Sequence, residues 1–503
     1  MSDSDEVVER RLSLSEIMSA KSSAHKAKHV RHERMREEGW NRVDLNDSRL
    51  RTSYEPPPVH VDNVSAKTNL SSATPLISLF ITIFSPALMH EALKCMQEDA
   101  PQVWDLFRLF FALFDKFFFS QVFVRKRGKT EKSTRRPLSL QDLYEVLAYR
   151  IFIQGRQERP SEADPDRHFL ELQFKRANAH FVAFHGKDAN TIGYDKARRF
   201  NGAFCVKVGS NLEMVLVQNF RVPFVHYGAN VAADEKVFEF NSAKSGMLRV
   251  IPAKSQKGLW NSTLCATLPS GLSYLIDSLC ATEIADMDEH TTMMVTFERQ
   301  IAVLRSKPLE RGEFSCVTYD SYYGTVEALQ YLRGLQQPFI WAVNPQRILP
   351  LVDLISDRVR ESGQMAFAVR ELDFARQRPE LLSCFWSKDS KKGKRYTITN
   401  YLKKVDHKRR GGYIPGFMEY EETFAACDKF NRRLHDKSWP HRYAAGVYSV
   451  EILAGHDFLF TSALVNMHHL WKTIDWKNRK SLSFKAFTQQ LAEEITESDF
   501  SGF

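Results

Sequence analysis

The amino-acid sequence predicts an α/β fold, with a mixed sheet in the middle of the chain and helical regions before and after it. Short apolar runs separated by turn residues begin near residue 212, and such runs are typical of strands. The run Val326–Leu335 has a helical period and lies between two predicted strands, Phe314–Tyr319 and Pro338–Val343. Because strand–helix–strand order is the pattern of a layered sheet, these runs predict the α/β class.

Other short apolar runs extend the predicted sheet toward the N-terminus. We expect strands at Met214–Val217, Lys236–Phe240, Leu264–Leu268, Leu272–Ile276 and Met293–Phe297. Together with the two strands above, they predict one mixed sheet.

Helices are predicted on both sides of this sheet. The segment Leu138–Leu147 is amphipathic, and Ser139 is a candidate N-cap. The last predicted helix, Ser483–Thr496, has an apolar face at Phe484, Phe487 and Leu491.

The chain is basic, with a formal net charge of +9 and a pI near 9.0. Such an excess favours a polyanionic partner, nucleic acid first and an acidic membrane surface second, although a basic protein with a mobile tail has the same balance. The seven cysteines include no C-x-x-C pair, which indicates reduced thiols in an intracellular protein and no cysteine-rich zinc module.

Two apolar stretches raise the question of a membrane span. Pro75–Met89 is too short and contains Pro86, and Val103–Val124 carries four charged residues. Because a spanning helix needs about 20 nearly uncharged residues, we expect two buried helices and no membrane partner. The acidic, polar N-terminus has no signal-peptide pattern.

Familiar catalytic motifs are missing, and carboxylates remain. The sequence has no P-loop, so no nucleotide cofactor is expected, and it has neither a G-x-S-x-G elbow nor an H-E-x-x-H helix. Asp234 begins one predicted strand region and Asp320 ends another. Ligand-binding groups often lie at strand ends, but an aspartate there is also a common turn or cap residue.

Five segments resemble motifs of the piggyBac transposase family. Because their order and spacing also match, the resemblance extends over nearly all of residues 73–497. The segments are Thr74–Pro86, Val231–Glu235, Val317–Leu329, Trp341–Arg347 and Tyr420–Asp428. The second, third and fifth are similar to the family's three acidic motifs.

The resemblance implies an RNase H-like core interrupted by an insertion and flanked by helical segments that bind DNA and dimerise. It implies cut-and-paste transposition at TTAA sites, with Asp234, Asp320 and Asp428 as catalytic residues. These acids, with Asn431, would hold two Mg²⁺ (or Mn²⁺) ions. Both cations prefer oxygen ligands, which carboxylate and amide groups provide. The implied partner is double-stranded DNA, bound by a homodimer in the nucleus.

The third acidic motif departs from the family's pattern. Ala425-Ala426-Cys427-Asp428 replaces a Gly-Gly-Val-Asp run, and Asn431 stands where a fourth acid is usual. An alternative is therefore a domesticated, transposase-derived protein that binds DNA without cleaving it.

Basic clusters are the candidate DNA contacts. These residues are Arg125, Lys126, Arg127, Lys254, Lys257, Lys391, Lys392, Lys394, Arg395, Lys408, Arg409 and Arg410. Solvated loops or nuclear-localisation signals have the same composition.

The resemblance and the composition together predict six segments. They are a disordered basic tail (1–70), a helical DNA-binding and dimerisation region (71–228), a first stretch of the catalytic core (229–345), a basic insertion (346–415), a second stretch of the catalytic core (416–435) and a C-terminal helical region (436–503).

Overall fold

A computed structural model describes seventeen segments of the chain. They are residues 40–43, 65–71, 74–98, 140–155, 211–239, 249–251, 256–280, 289–310, 312–323, 325–346, 349–361, 363–370, 380–386, 393–401, 416–437, 450–474 and 482–500. Most of the predicted tail and the apolar run Val103–Val124 lie outside the described residues.

The chain divides into two compact units. The first contains Met1–Asp62 and Phe314–Phe424, and the second contains Asn63–Glu313 and Ala425–Phe503. Each unit therefore combines segments that are distant in sequence. The six-segment division expected from the sequence stays a prediction.

The described residues form twelve strands and ten α-helices. The strands are β1 (Trp40–Val43), β2 (Ser65–Thr68), β3 (Phe224–Gly228), β4 (Asn230–Glu239), β5 (Arg249–Ile251), β6 (Gln256–Thr267), β7 (Ser273–Cys280), β8 (Cys316–Tyr319), β9 (Phe339–Ala342), β10 (Met365–Arg370), β11 (Glu380–Trp386) and β12 (Lys394–Thr399). The helices are α1 (Leu76–Ile83), α2 (Pro86–Glu98), α3 (Leu140–Gly155), α4 (Asn211–Asn219), α5 (Glu289–Arg305), α6 (Val326–Gly334), α7 (Leu349–Ser356), α8 (Phe417–Lys437), α9 (Val450–Thr473) and α10 (Phe484–Glu497).

In the first unit, six strands are hydrogen-bonded in the order β1-β10-β11-β12-β9-β8. The pair β8–β9 is parallel, and the other neighbours are antiparallel. A parallel pair needs a crossover connection, which α6 provides between β8 and β9. The strand–helix–strand prediction for this region is confirmed, and the sheet is mixed.

The segment predicted as a basic insertion, 346–415, contains regular structure. It forms α7 and strands β10, β11 and β12, which add to β9. The strands were missed because basic residues surround their apolar cores. In β12, for example, Lys394 and Arg395 precede four buried residues.

A buried ion pair joins α6 to β11 in the first unit. The Arg333 guanidinium donates to both carboxylate oxygens of Glu380, at 2.6 and 2.5 Å. Glu380 is 1% exposed, so this bidentate contact compensates for much of the lost hydration of its carboxylate.

In the second unit, β6 is the central strand of the larger sheet. It pairs with β4 along one edge and with β5 and β7 along the other, all antiparallel. A register shift between Leu264 and Cys265 interrupts the β6–β7 pairing. Strands β2 and β3 form a separate antiparallel pair.

Side chains of α9 bind the backbone of β7. The Asn466 amide accepts from Leu275 N and donates to Leu275 O, both at 2.9 Å. The His469 ring bonds the carbonyl of Ser273 at 2.5 Å. These contacts fix α9 against the strand.

Aromatic rings pack the helices of the second unit together. Phe80 stacks on Phe84, and Tyr144 of α3 stacks on Phe500 with ring centroids 3.8 Å apart. Burial raises the pKa of Tyr144 to about 12, so its hydroxyl stays protonated. The last helix begins as predicted, with the Ser483 side chain accepting from Ala486 N.

Two predicted strands are helices instead. Met214–Val217 lies in α4, and Met293–Phe297 lies in α5. Short apolar runs do not distinguish a strand from a buried helix by periodicity. The burial of α5 has helical spacing, at Met293, Thr296, Phe297, Gln300, Ile301 and Leu304.

Within the described residues, no single helix is long and apolar enough to cross a membrane. The bent pair Leu76–Ile83 and Pro86–Lys94 meets the length and composition criteria together, with a 49° bend. Leu76, Leu79, Phe80 and Ile83 are buried, as expected for a core helix.

We expect Arg333→Met to destabilise the protein by about 3–5 kcal/mol, because it removes the charged partner and two hydrogen bonds of the buried Glu380 carboxylate. Urea unfolding followed by circular dichroism measures the change. The matched control is Arg395→Met, whose partner Glu421 is exposed and 3.7 Å away; this variant should change stability by less than about 1 kcal/mol. Equal effects of the two substitutions would contradict the assignment.

Candidate functional site

Asp234 lies on β4 of the second unit, opposite Thr263 of β6. Its side chain is 7% exposed, and Oδ1 accepts a hydrogen bond from Glu235 N at 2.8 Å. The Thr263 hydroxyl donates to the Asp234 carbonyl oxygen at 3.1 Å. Pairing with β6 therefore fixes the backbone that carries this carboxylate.

Glu235 is a second buried carboxylate beside Asp234. It is 6% exposed, and one of its oxygens lies within 4.8 Å of an oxygen of Asp234. Holding two carboxylates this close in a buried place is costly unless cations or hydrogen bonds compensate. Glu235 was not among the candidate site residues predicted from the sequence, although two consecutive acids directly before the predicted strand Lys236–Phe240 were a visible signal.

Asp320 directly follows β8 of the first unit, whose four residues are all buried. Its Oδ1 accepts from Tyr322 N at 2.8 Å, and its carbonyl accepts from Trp341 Nε1 at 2.9 Å. Since Trp341 belongs to the parallel neighbour β9, the sheet itself positions the turn. The carboxylate is half-buried at the C-terminal end of a parallel strand, where binding groups often lie.

Buried rings support the Asp320 turn from both sides. Tyr319 lies 5.3 Å from Tyr323 and 5.9 Å from Trp341, between ring centroids. Tyr319, Tyr323 and Trp341 are nearly inaccessible to solvent. Their packing restricts the backbone on both sides of Asp320.

Asp428 and Asn431 lie on α8, in the portion that belongs to the second unit. Three residues apart, they share one side of the helix. Asp428 is exposed, whereas the Asn431 Oδ1 atom is enclosed and has no hydrogen-bond partner among the described residues. A carbonyl oxygen in this condition fits a metal ligand.

Cys427 shows how α8 packs in the second unit. Its Sγ lies 3.3 Å from the carbonyl oxygen of Ala232 on β4. Burial raises the pKa of the Cys427 thiol well above its usual value, and the neighbouring Cys265 and the charge of Asp234 raise it further. The helix turn that precedes Asp428 therefore lies against the strand that carries Asp234.

Few of the predicted DNA contacts fall within the described residues. Lys394 Nζ donates to the Ser356 carbonyl at 2.6 Å, a contact within the first unit. Arg395 lies on the same strand and is exposed, and Lys257 lies on β6. Outside the described residues lie Arg125, Lys126, Arg127, Lys254, Lys391, Lys392, Lys408, Arg409 and Arg410.

Comparison with known proteins gives a likeness in fold. No family model matches the sequence, and no curated protein matches it. A similar solved structure is a piggyBac transposase synaptic complex with hairpin DNA, at 13% identity and a TM-score of 0.55. The likeness covers 85% of this chain and 81% of that one. It confirms the α/β class, with a mixed sheet and flanking helices.

We expect Cys427 to be almost unreactive toward iodoacetamide in the native protein at pH 8. Alkylation needs the thiolate, and both burial and the raised pKa keep this thiol protonated. Mass spectrometry of peptides labelled with and without urea measures the protection. Equal labelling in the two conditions would show that α8 does not pack on β4 in this way.

Proposed function

We propose that the protein is a piggyBac-type DNA transposase, or a derivative of one, that cleaves and joins DNA strands at TTAA sites with divalent metal ions. The observation that carries the proposal is the buried pair Asp234 and Glu235 on β4, in a chain whose fold resembles a piggyBac transposase over most of its length. Because fold alone does not define an activity, the proposal depends on the chemistry of the side chains.

The donor set is one that Mg²⁺ and Mn²⁺ prefer. The proposed ligands are the carboxylates of Asp234, Asp320 and Asp428, with the Asn431 carbonyl, and all are oxygen donors. Glu235 adds a further carboxylate beside Asp234. The enclosed Asn431 Oδ1, which has no partner among the described residues, supports this fit, since a bound cation would satisfy it.

When bound, two such ions supply an activated water or 3′-hydroxyl and stabilise the leaving oxygen. The protein's own task is then to position groups and to balance charge. Asp320 is held by the Tyr322 amide and the packed Trp341 ring, and Asp234 by the Glu235 amide and the β6 pairing. Rigid supports of this kind preserve the ligand geometry during strand cleavage.

One observation favours the second candidate, a domesticated protein that binds DNA without cleavage. Asn431 replaces an acid with a neutral amide, which removes one negative charge from the proposed ligand set. Such a protein would bind double-stranded DNA and leave it intact. Dimerisation and nuclear localisation stay predictions under both candidates.

We expect the wild-type protein to nick DNA that carries matched terminal repeats next to TTAA, with Mg²⁺ or Mn²⁺ and not with EDTA. Asp320→Asn should reduce nicking at least about 100-fold, because one charged ligand is lost. The asparagine keeps an oxygen that can accept from Tyr322 N, so the melting temperature should change little. Gel analysis of end-labelled DNA measures the products.

The control for this assay is Glu298→Gln, which changes an exposed acid on α5 and should leave nicking unchanged. Absence of metal-dependent nicking by the wild type would refute the transposase proposal. If the same protein still bound DNA, the second candidate would replace it.

Metal binding can be tested without activity. A ligand that binds only the folded protein raises its melting temperature, so Mn²⁺ should stabilise the wild type relative to EDTA. Asp234→Asn should abolish most of this shift, and Asn431→Asp should enlarge it by adding a carboxylate. Differential scanning fluorimetry measures the shifts. A shift that neither substitution changes would place the ion elsewhere.

A further inference from the structure

We propose that α8 and the end of α9 form a second-unit binding site for the phosphate backbone of double-stranded DNA. The site, called the basic face below, consists of Lys429, Arg432 and Arg433 on α8 and Lys472 on α9. It rests on the proposed function and deepens it by naming where the DNA backbone is held.

The spacing of three of these residues places them on one side of the helix. Lys429, Arg432 and Arg433 stand at positions i, i+3 and i+4 of α8, which are neighbours on a helix surface. All three are exposed, while Phe430 and Leu434 of the same helix are buried. The side chains are therefore available to a partner.

Lys472 brings a fourth positive charge from another helix. It lies in the last turn of α9 and is half-buried. Burial lowers the pKa of Lys472, and the positive charge of Arg433 lowers it further. The fold thus holds like charges together across two helices.

No described carboxylate forms an ion pair with the basic face, and the acid nearest to it in sequence, Asp428, is itself a proposed metal ligand. By contrast, Arg221 and Arg299 of the same unit both bind the buried carboxylate of Asp277. Repulsion among uncompensated cations is relieved by an anion, and regularly spaced phosphates suit several cations at once.

A neighbouring histidine adds no charge of its own. His469 is buried, and its pKa is lowered to about 4, chiefly by burial, with Arg433 and Lys472 adding to the decrease. The ring is therefore neutral at physiological pH. The positive potential here comes from the four basic residues.

The basic face lies beside two of the proposed metal ligands, and this position favours DNA as its partner. Asp428 immediately precedes Lys429, and Asn431 immediately precedes Arg432 on the same helix. Two of the proposed metal ligands are thus interleaved with the cations. Phosphates bound by Lys429 and Arg432 would lie near the strand to be cleaved, and contacts to phosphate position DNA without reading its sequence.

The simpler alternative is that the basic face is a solvated surface. Its positive charges would then only stabilise the C-terminal half of α8, by interacting with the helix dipole. That role predicts a small loss of helix stability on removing the charges. It predicts no specific change in how DNA affinity depends on salt. The two roles therefore differ in a measurable quantity.

The test measures binding of the full-length protein to a fluorescent DNA duplex by anisotropy, in EDTA, over a series of KCl concentrations. The variant is Lys429→Gln, Arg432→Gln and Arg433→Gln combined. Because each lost phosphate contact reduces the slope of log K against log salt by about 0.9, we expect the slope to fall by about 2–3. Lys472→Gln alone should reduce it by about 1.

The matched control removes three exposed positive charges elsewhere, with Lys67→Gln, Arg360→Gln and Lys485→Gln. It should leave the slope within about 0.5 of the wild type. The inference is overturned if the control loses as much as the variant, if the variant keeps the wild-type slope, or if the wild type binds anionic vesicles and no DNA.

The salt-dependence measurement and the cleavage assay test different claims, so their results can be distinguished. A protein that never nicks DNA but shows the reduced slope in the variant supports the basic face and refutes the transposase activity. A protein that nicks DNA, with an unchanged slope in the variant, supports the activity and refutes the basic face.

Discussion

Burial of the Asp234 and Glu235 carboxylates is the constraint on which the second unit depends. Both lie in the middle of β4, and removing a carboxylate from water costs several kcal/mol unless other groups compensate. A strand that served stability alone would carry apolar residues there. The continuous β4–β6 pairing and the packing of α8 keep these acids in place despite that cost.

Asp320, the candidate acid of the first unit, is supported differently from the pair on β4. Asp320 terminates a fully buried strand, and three rings and one backbone amide support the turn that follows. In both units the carboxylate belongs to a sheet strand or its end, and its backbone is fixed before any ligand arrives. The metal-assisted strand cleavage that we propose would depend on preorganisation of this kind.

Sequence patterns predicted much of the fold and some of the candidate site. The order β8, α6, β9 followed from alternating periods, and Asp234 and Asp320 were singled out because they lie beside predicted strands. Periodicity failed at α4 and α5, where short apolar runs fit both helix and strand. It also could not reveal the basic face, since Lys472 is distant from Arg433 in sequence and comes under the influence of its charge only in the folded chain.

The amide of Asn466 has a consequence beyond fixing α9. Among the described strands β7 pairs with β6 alone, so its other edge would present free N–H and C=O groups. Such an edge is a template on which a second chain can add a strand and begin to aggregate. Asn466 occupies both groups of Leu275, and His469 occupies the carbonyl of Ser273. Two helical side chains thus protect the sheet against self-association.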